Sequence, residues 1–247
     1  MRNIWTIAKR ELNIYFASPI AYAVAFLVLT SLGGLFIAYI LFMSGNTGMG
    51  GVPGFWDVTG GLLSSLLVFF IPFLTMRLIA DEVRMGTMEL LLTAPLRDYE
   101  LVIGKWLGAF LFVLVLLVIS MIFPLILNQL VTPGIDQMLM LSGYLALILM
   151  SAAYISLGVA ISAIFNNQFA AAIVTLFVVL VFWWLIGIPS YVLTTGGDIF
   201  RYLSIGTQIN ENFAVGKIEL SGIIYLLSVT AFGMIIGTTA VEMRRWR

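Results

Sequence analysis

"ADEVRMGTMELLLTAPLRDYE", residues 80–100, stands between two long apolar runs, Gly60 to Met76 before it and Leu101 to Leu127 after it. Seven of its residues are charged: Asp81, Glu82, Arg84, Glu89, Arg97, Asp98 and Glu100. Placing those charges in hydrocarbon would cost on the order of 15 to 20 kcal/mol by addition on insertion scales, so the stretch stays in water. Its flanks do not. A hydrocarbon core about 30 Å thick is matched by roughly 20 apolar residues rising about 1.5 Å each, which makes each flank a membrane-crossing helix.

The same reading extends along the chain to six apolar segments: 20–43, 60–80, 101–127, 141–165, 169–188 and 221–241. The second continues past Met76 through Arg77 and Leu78 to Ala80, with the Arg77 side chain reaching back to the interface. The fold class expected is an all-α integral membrane protein, a single transmembrane domain over residues 1–247 with no room for a soluble one. Composition agrees: of the 247 residues, 62% are hydrophobic and 10% charged, and the mean hydropathy is +1.10. Soluble domains carry about 25% charged residues. Cysteine and histidine are absent, which excludes disulfides, thiol catalysis, histidine-ligated haem and the common zinc sites.

The formal net charge is zero, so orientation rests on where Lys and Arg fall. Arg2, Lys9 and Arg10 precede the first span; Arg77, Arg84, Arg97 and Lys105 surround the second connection; Arg244, Arg245 and Arg247 end the chain. The other side has only Arg201 and Lys217. Both termini and residues 81–100 are therefore expected in the cytoplasm, with Asn46 and Asp136 outside and Trp183 and Trp184 near the outer interface. Residues 1–18 alternate a polar face (Arg2, Thr6, Lys9, Asn13) with an apolar one (Ile4, Ile7, Ala8, Leu12, Tyr15, Phe16), the pattern of an interfacial helix, or more simply of a basic leader without structure. It lacks a cleavage site and is expected to stay attached. Residues 189–220 contain the Gly196-Gly197 break, a helix-starting Asp198 and apolar Phe200, Leu203 and Ile205. They read as a re-entrant or amphipathic outer segment packed on the bundle or at a subunit seam, with a solvated loop as the alternative.

Catalytic and coupling chemistry is sparse. "YELVIGKW" ends in Gly-Lys but lacks the rest of a phosphate loop, and Gly104 with Gly108 reads instead as a small-xxx-small helix-packing face. Gly233 with Gly237, and Ala152, Ser156 and Ala160, read the same way. The spans have no ionisable residue away from their ends, against a self-powered secondary transporter. Ser64, Ser65, Ser120 and Ser162 read as packing hydroxyls rather than nucleophiles. Met43, Met49, Met138 and Met140 read as apolar filler rather than Cu(I) ligands.

The charged stretch itself has structure signals. Thr87 can cap a helix from Met88 to Thr93, Pro95 stops it, and Asp98 and Glu100 place negative charge at the start of the third span. Met88, Leu91 and Leu92 share one face. So short a helix is marginal in water and must dock, either on its own bundle and the headgroups or on a cytoplasmic partner.

"DEVRMGTMELLLTAPLRDYELVIGK", residues 81–105, resembles the connection after the second span of ABC-2-type transporter permeases. "KRELNIYFASPIAY", residues 9–22, and "LSIGTQINENFAVGKIELSGIIYLLS", residues 203–228, are similar to the gliding-motility-associated subgroup of that family. The resemblance covers essentially the whole chain. It implies six spans, an N-terminal interfacial helix and a cytoplasmic coupling helix that docks in a groove of a separate ATPase subunit. Carried over, Glu82, Arg84, Gly86, Thr87, Glu89, Leu90, Leu91 and Pro95 form the ATPase-coupling segment. Two permease subunits, identical or related, would pair with two ATPase subunits in a prokaryotic cytoplasmic membrane. ATP and Mg would be bound by the ATPase, with no cofactor in this chain and no nucleic-acid partner. The expected function is the permease subunit of an ATP-binding-cassette transporter, with export the expected direction. The alternative is a non-transporting membrane subunit that passes ATPase motion to an extracytoplasmic partner. A stand-alone channel lacks a charged ring or filter motif.

Overall fold

A computed structural model describes residues 2–45, 54–89, 96–193 and 196–245. Every regular element among them is helical: α1 (Arg2–Ala17), α2 (Pro19–Gly45), α3 (Gly61–Thr75), α4 (Ala80–Arg84), α5 (Asp98–Ser120), α6 (Ile122–Leu130), α7 (Gln137–Ile164), α8 (Gln168–Trp183), α9 (Pro189–Val192), α10 (Gly197–Leu203), α11 (Ile205–Glu211) and α12 (Leu220–Arg245). Among the described residues six stretches are long and apolar enough to cross a membrane: Ala21–Phe42, Trp56–Arg84, Asp98–Leu130, Gln137–Ile164, Gln168–Val192 and Leu220–Arg244. The chain is an all-α, multi-pass membrane protein. The helical form follows from the solvent, because hydrocarbon offers no partner to a free backbone N–H or C=O.

Side-chain caps mark the helix boundaries. Asp136 accepts hydrogen bonds from the Met138 and Leu139 N–H groups and starts α7; Asn167 accepts from Phe169 and Ala170 and starts α8. At the far end of α7 the Arg244 guanidinium donates to the carbonyls of Ala163 and Ile164, so α12 closes the helix it packs against.

The bundle is built around α7. In its most apolar window 83% of the residues are buried, against 17% in the first span, and Leu147, Met150 and Tyr154 have no exposed surface. Small residues let the neighbours come close. A Cβ on Gly158 would lie 2.1 Å from Thr75 Oγ1 of α3, and one on Gly233 of α12 would lie 2.7 Å from the Ser156 carbonyl carbon of α7. Gly237 faces the Ala160 backbone and Val102. In contrast α2 leaves Phe26, Leu35, Ile37 and Leu41 uncovered by this chain.

The second span begins four residues before Gly60, with one π-helical turn over Trp56–Gly60. Asp57 and Thr59 interrupt the apolar run in sequence, but Phe55 buries its ring against Tyr144 at 5.0 Å, and Thr59 turns its hydroxyl back to the Phe55 carbonyl. The third span likewise extends through α6. Residues 197–215 fold back onto one end of the bundle. Ile205, Ile209 and Phe213 are fully buried there, Ser142 donates to the Phe213 carbonyl, and Trp56 Nε1 donates to Asn210. That end also holds Asp136, whereas Asn46 lies outside the described residues. The opposite end gathers α1, α4, the start of α5 and the last turns of α7 and α12.

Gly233→Ala should cost about 1–3 kcal/mol by overpacking α12 against the α7 backbone. Gly34→Ala, where a Cβ meets nothing within 4 Å, should cost nothing measurable. Thermal unfolding in detergent compares the two, and equal midpoints would show that the α7–α12 approach is looser than described.

Candidate functional site

The interfacial helix α1 does not float on the bundle; it lies on α5. A Cβ on Gly104 would come 2.7 Å from Ile7 Cβ, and one on Gly108 would come 2.6 Å from Glu11 Cβ, so these two glycines set the closeness of the pair. Ile7, Ala8 and Glu11 are buried in this contact, while Trp5, Ile14 and Phe16 stay exposed. The buried face is therefore rotated relative to the purely apolar face expected from sequence, and it contains an acid.

That acid meets Lys105, whose side chain is only 1% exposed. Lys105 Nζ lies 2.9 Å from Glu11 Oε1 and 2.8 Å from Glu82 Oε1, and Arg10 Nη2 adds contacts of 3.2 and 2.9 Å to the same two oxygens. Two cations and two carboxylates from α1, α4 and α5 thus form one network. Burying an ammonium removes hydration worth several kcal/mol, and close carboxylates are what offset the loss. Next to it, burial and the Glu11 carboxylate push the Tyr15 phenol up, and the neutral hydroxyl donates to the Leu74 carbonyl at 2.9 Å.

The link between α3 and α4 hangs on one hydroxyl. The Ile79 and Ala80 N–H groups both donate to Ser162 Oγ at 3.0 Å, and Ser162 donates to the Met76 carbonyl at 3.1 Å. A break inside a span leaves backbone groups unpaired, and Ser162 of α7 pairs three of them. Asp81 bonds to Gln168 of α8 and to Arg84 at 3.0 Å. The helix then ends in a Schellman arrangement: Thr87 N donates to the Glu82 carbonyl, Gly86 N donates to Val83, and Gly86 has φ +71°. Among the described residues nothing crowds Gly86, and its backbone angle explains the glycine.

The coupling residues named from sequence therefore separate. Glu82 turns into the bundle and is held there. Arg84, Met85, Gly86 and Glu89 are exposed, and Met88 is buried in the core. Thr87, read as the cap of a following helix, sends its hydroxyl back to the Glu82 carbonyl. Leu90, Leu91, Pro95 and the rest of the expected short helix lie outside the described residues. At the start of α5, Glu100 accepts from the Arg97 N–H and from Asn3.

Glu11, Lys105 and Ser162 were missed as site residues. Glu11 is the one acid in the first 18 residues, set among apolar neighbours, and Lys105 sits inside an apolar run. Both are signals of a buried pair once they are taken together. Among the described residues, no group of three or more carboxylates could hold a metal ion. Through Glu82 the exposed turn after α4 is tied to α1 and α5 at once.

The family model described as "ABC-2 family transporter protein" matches residues 16–241, nearly the whole chain. No curated protein matches. Glu82, Lys105 and Ser162 fall within the matched residues; Arg10 and Glu11 precede them.

Lys105→Met should destabilise the protein by about 3–5 kcal/mol, because it leaves the buried Glu11 and the partly buried Glu82 short of a cation. Arg10→Gln removes a half-exposed partner of the same oxygens and should cost about 0–1 kcal/mol. Denaturation in matched detergent reads both, and equal losses would remove Lys105 from the centre of the network.

Proposed function

The chain belongs to the ABC-2 family of transporter proteins, and we propose that it is the membrane-spanning permease subunit of an ATP-driven transporter whose ATPase is a separate chain. The observation that carries this reading is the turn after α4, which exposes Arg84, Met85, Gly86 and Glu89 while Glu82 ties it to two other helices. In this reading the ATPase groove receives the exposed turn and the residues that follow it. Closure of the ATPase dimer on ATP moves the turn. The network then carries that motion into α1 and α5, and the spans switch between packings as rigid bodies.

The end bearing α1, α4 and the C-terminal turns faces the cytoplasm, because Lys9, Arg10, Arg77, Arg84, Arg97, Lys105 and Arg244 gather there against Arg201 and Lys217 opposite. The membrane is the cytoplasmic membrane of a prokaryote. The partners are an ATPase dimer, which binds ATP and Mg, and a second permease subunit, identical or related, with export as the direction. One observation favours a second reading, a membrane subunit that passes ATPase motion to an outer partner without moving cargo. A polar cavity of about 250 Å³, lined by Asp198, Arg201, Gln208 and Glu211 among others, sits in the folded-back segment at the far end. Cargo flux in reconstituted vesicles separates the two.

Co-expression with a candidate partner ATPase tests the coupling turn. Glu89→Lys should reduce complex formation by reversing an exposed charge, and Gly86→Val should reduce stimulated ATP hydrolysis by misdirecting the chain, with Lys217→Ala unaffected. If both variants assemble and hydrolyse ATP like the control, the turn is a connection and not a coupling element. Single cysteines read orientation without background in a chain that has none. Lys217→Cys should react with an impermeant reagent from outside and Arg84→Cys only from inside; the reverse pattern would invert the topology.

A further inference from the structure

A cavity of about 130 Å³ opens beside the charged network, between α1, the beginning of α2 and the end of the second span. One side is polar, with Glu11, Lys105, Glu82 and Arg77. The other is apolar, and its Ile14 and Phe73 are 45% and 47% exposed, which places the rim on the lipid-facing surface.

Two polar groups in this wall are incompletely satisfied by the described residues. Among the described residues Arg77 has no carboxylate partner, and its guanidinium makes one long hydrogen bond, 3.4 Å to Ser18 Oγ. Glu82 uses Oε1 for both Lys105 and Arg10, while its buried Oε2 has no hydrogen-bond partner among the described residues. A planar guanidinium is suited to a phosphate, and a carboxylate oxygen to an N–H or O–H donor. A molecule with a phosphodiester, a terminal donor and apolar chains would satisfy both groups and cover the exposed rim.

We propose that this cavity binds the headgroup of one glycerophospholipid from the adjoining leaflet. The phosphodiester sits on Arg77 and Ser18, an amine or hydroxyl of the headgroup donates to Glu82, and the acyl chains lie over Ile14, Val24 and Phe73. The cavity admits a headgroup and not the chains, which keeps the chains on the outer surface of the spans. A free anion would satisfy Arg77 but leave the apolar rim and Glu82 Oε2 as they are. A choline headgroup carries no N–H or O–H and cannot serve Glu82. The site stands whether or not the protein moves lipid, since it is built from one chain and needs no ATPase.

The test uses the full chain purified in mild detergent, with native mass spectrometry to count retained lipid. Phosphatidylethanolamine, phosphatidylglycerol and phosphatidylcholine with matched acyl chains are added after delipidation. One lipid per chain is expected, with the first two held at least tenfold more tightly than phosphatidylcholine. Arg77→Gln should weaken retention at least tenfold. Val24→Phe, which fills the cavity from α2 without touching a charge, should do the same, and Ser18→Ala gives a second, milder change should Val24→Phe fail to fold. Phosphatidylcholine held as tightly as the others would overturn the proposal, as would wild-type retention in Arg77→Gln, which would leave only an unspecific lipid shell. Displacement by inorganic phosphate at concentrations comparable to the lipid would also overturn it, in favour of a simple anion site.

Discussion

An ammonium that has lost its water must be surrounded by carboxylates, and Lys105 takes its two from elements far apart in the chain. Much of the end of the bundle follows from this demand. Glu11 can reach only if α1 lies directly on α5, which requires the bare backbone of Gly104 and Gly108 at the contact. Glu82 can reach only if the second span stops short and turns, which requires the Ser162 hydroxyl to take up the backbone groups that the stop leaves open. The glycine pair, the broken span and the buried lysine are one solution to one electrostatic problem.

The spans and the charged connection were legible in the sequence because they are set by composition. A run of roughly 20 apolar residues has one stable form in a bilayer, and a dense group of charges has no place in it. The folded-back segment after the fifth span was legible in outline from its glycines and apolar residues, and the caps of α7 and α8 are local. The charged network was not legible, because a lone Lys at the edge of a span reads as an interface residue until its partners are known. The helix of the second span starts earlier than its unbroken apolar run for a related reason: Asp57 and Thr59 look polar in sequence, and only tertiary contacts show that Phe55 and Thr59 are already inside.

Around α7 the chain packs its helices through small residues. Thr75 against Gly158, Ser156 against Gly233 and the Ala160 backbone near Gly237 bring helices together through backbone and hydroxyl surface. Lipid tails are as apolar as leucine, so van der Waals fit rather than exclusion from water holds such helices together. The central helix is thereby clamped on several sides, while α2 and much of α8 show their large side chains outward.

The partners in the charged network are made at different times. Glu11 and Lys105 are separated by 94 positions, and Glu82 lies between them. A chain synthesised from its N-terminus therefore holds α1 complete while no cation from α5 yet exists to receive it. Until the third span has been made, the Glu11 carboxylate belongs in the hydrated layer at the membrane surface, and α1 stays there with it. The buried Glu11–Lys105 pair can form only once Lys105 has been made, so α1 cannot complete its seat on α5 before the third span exists.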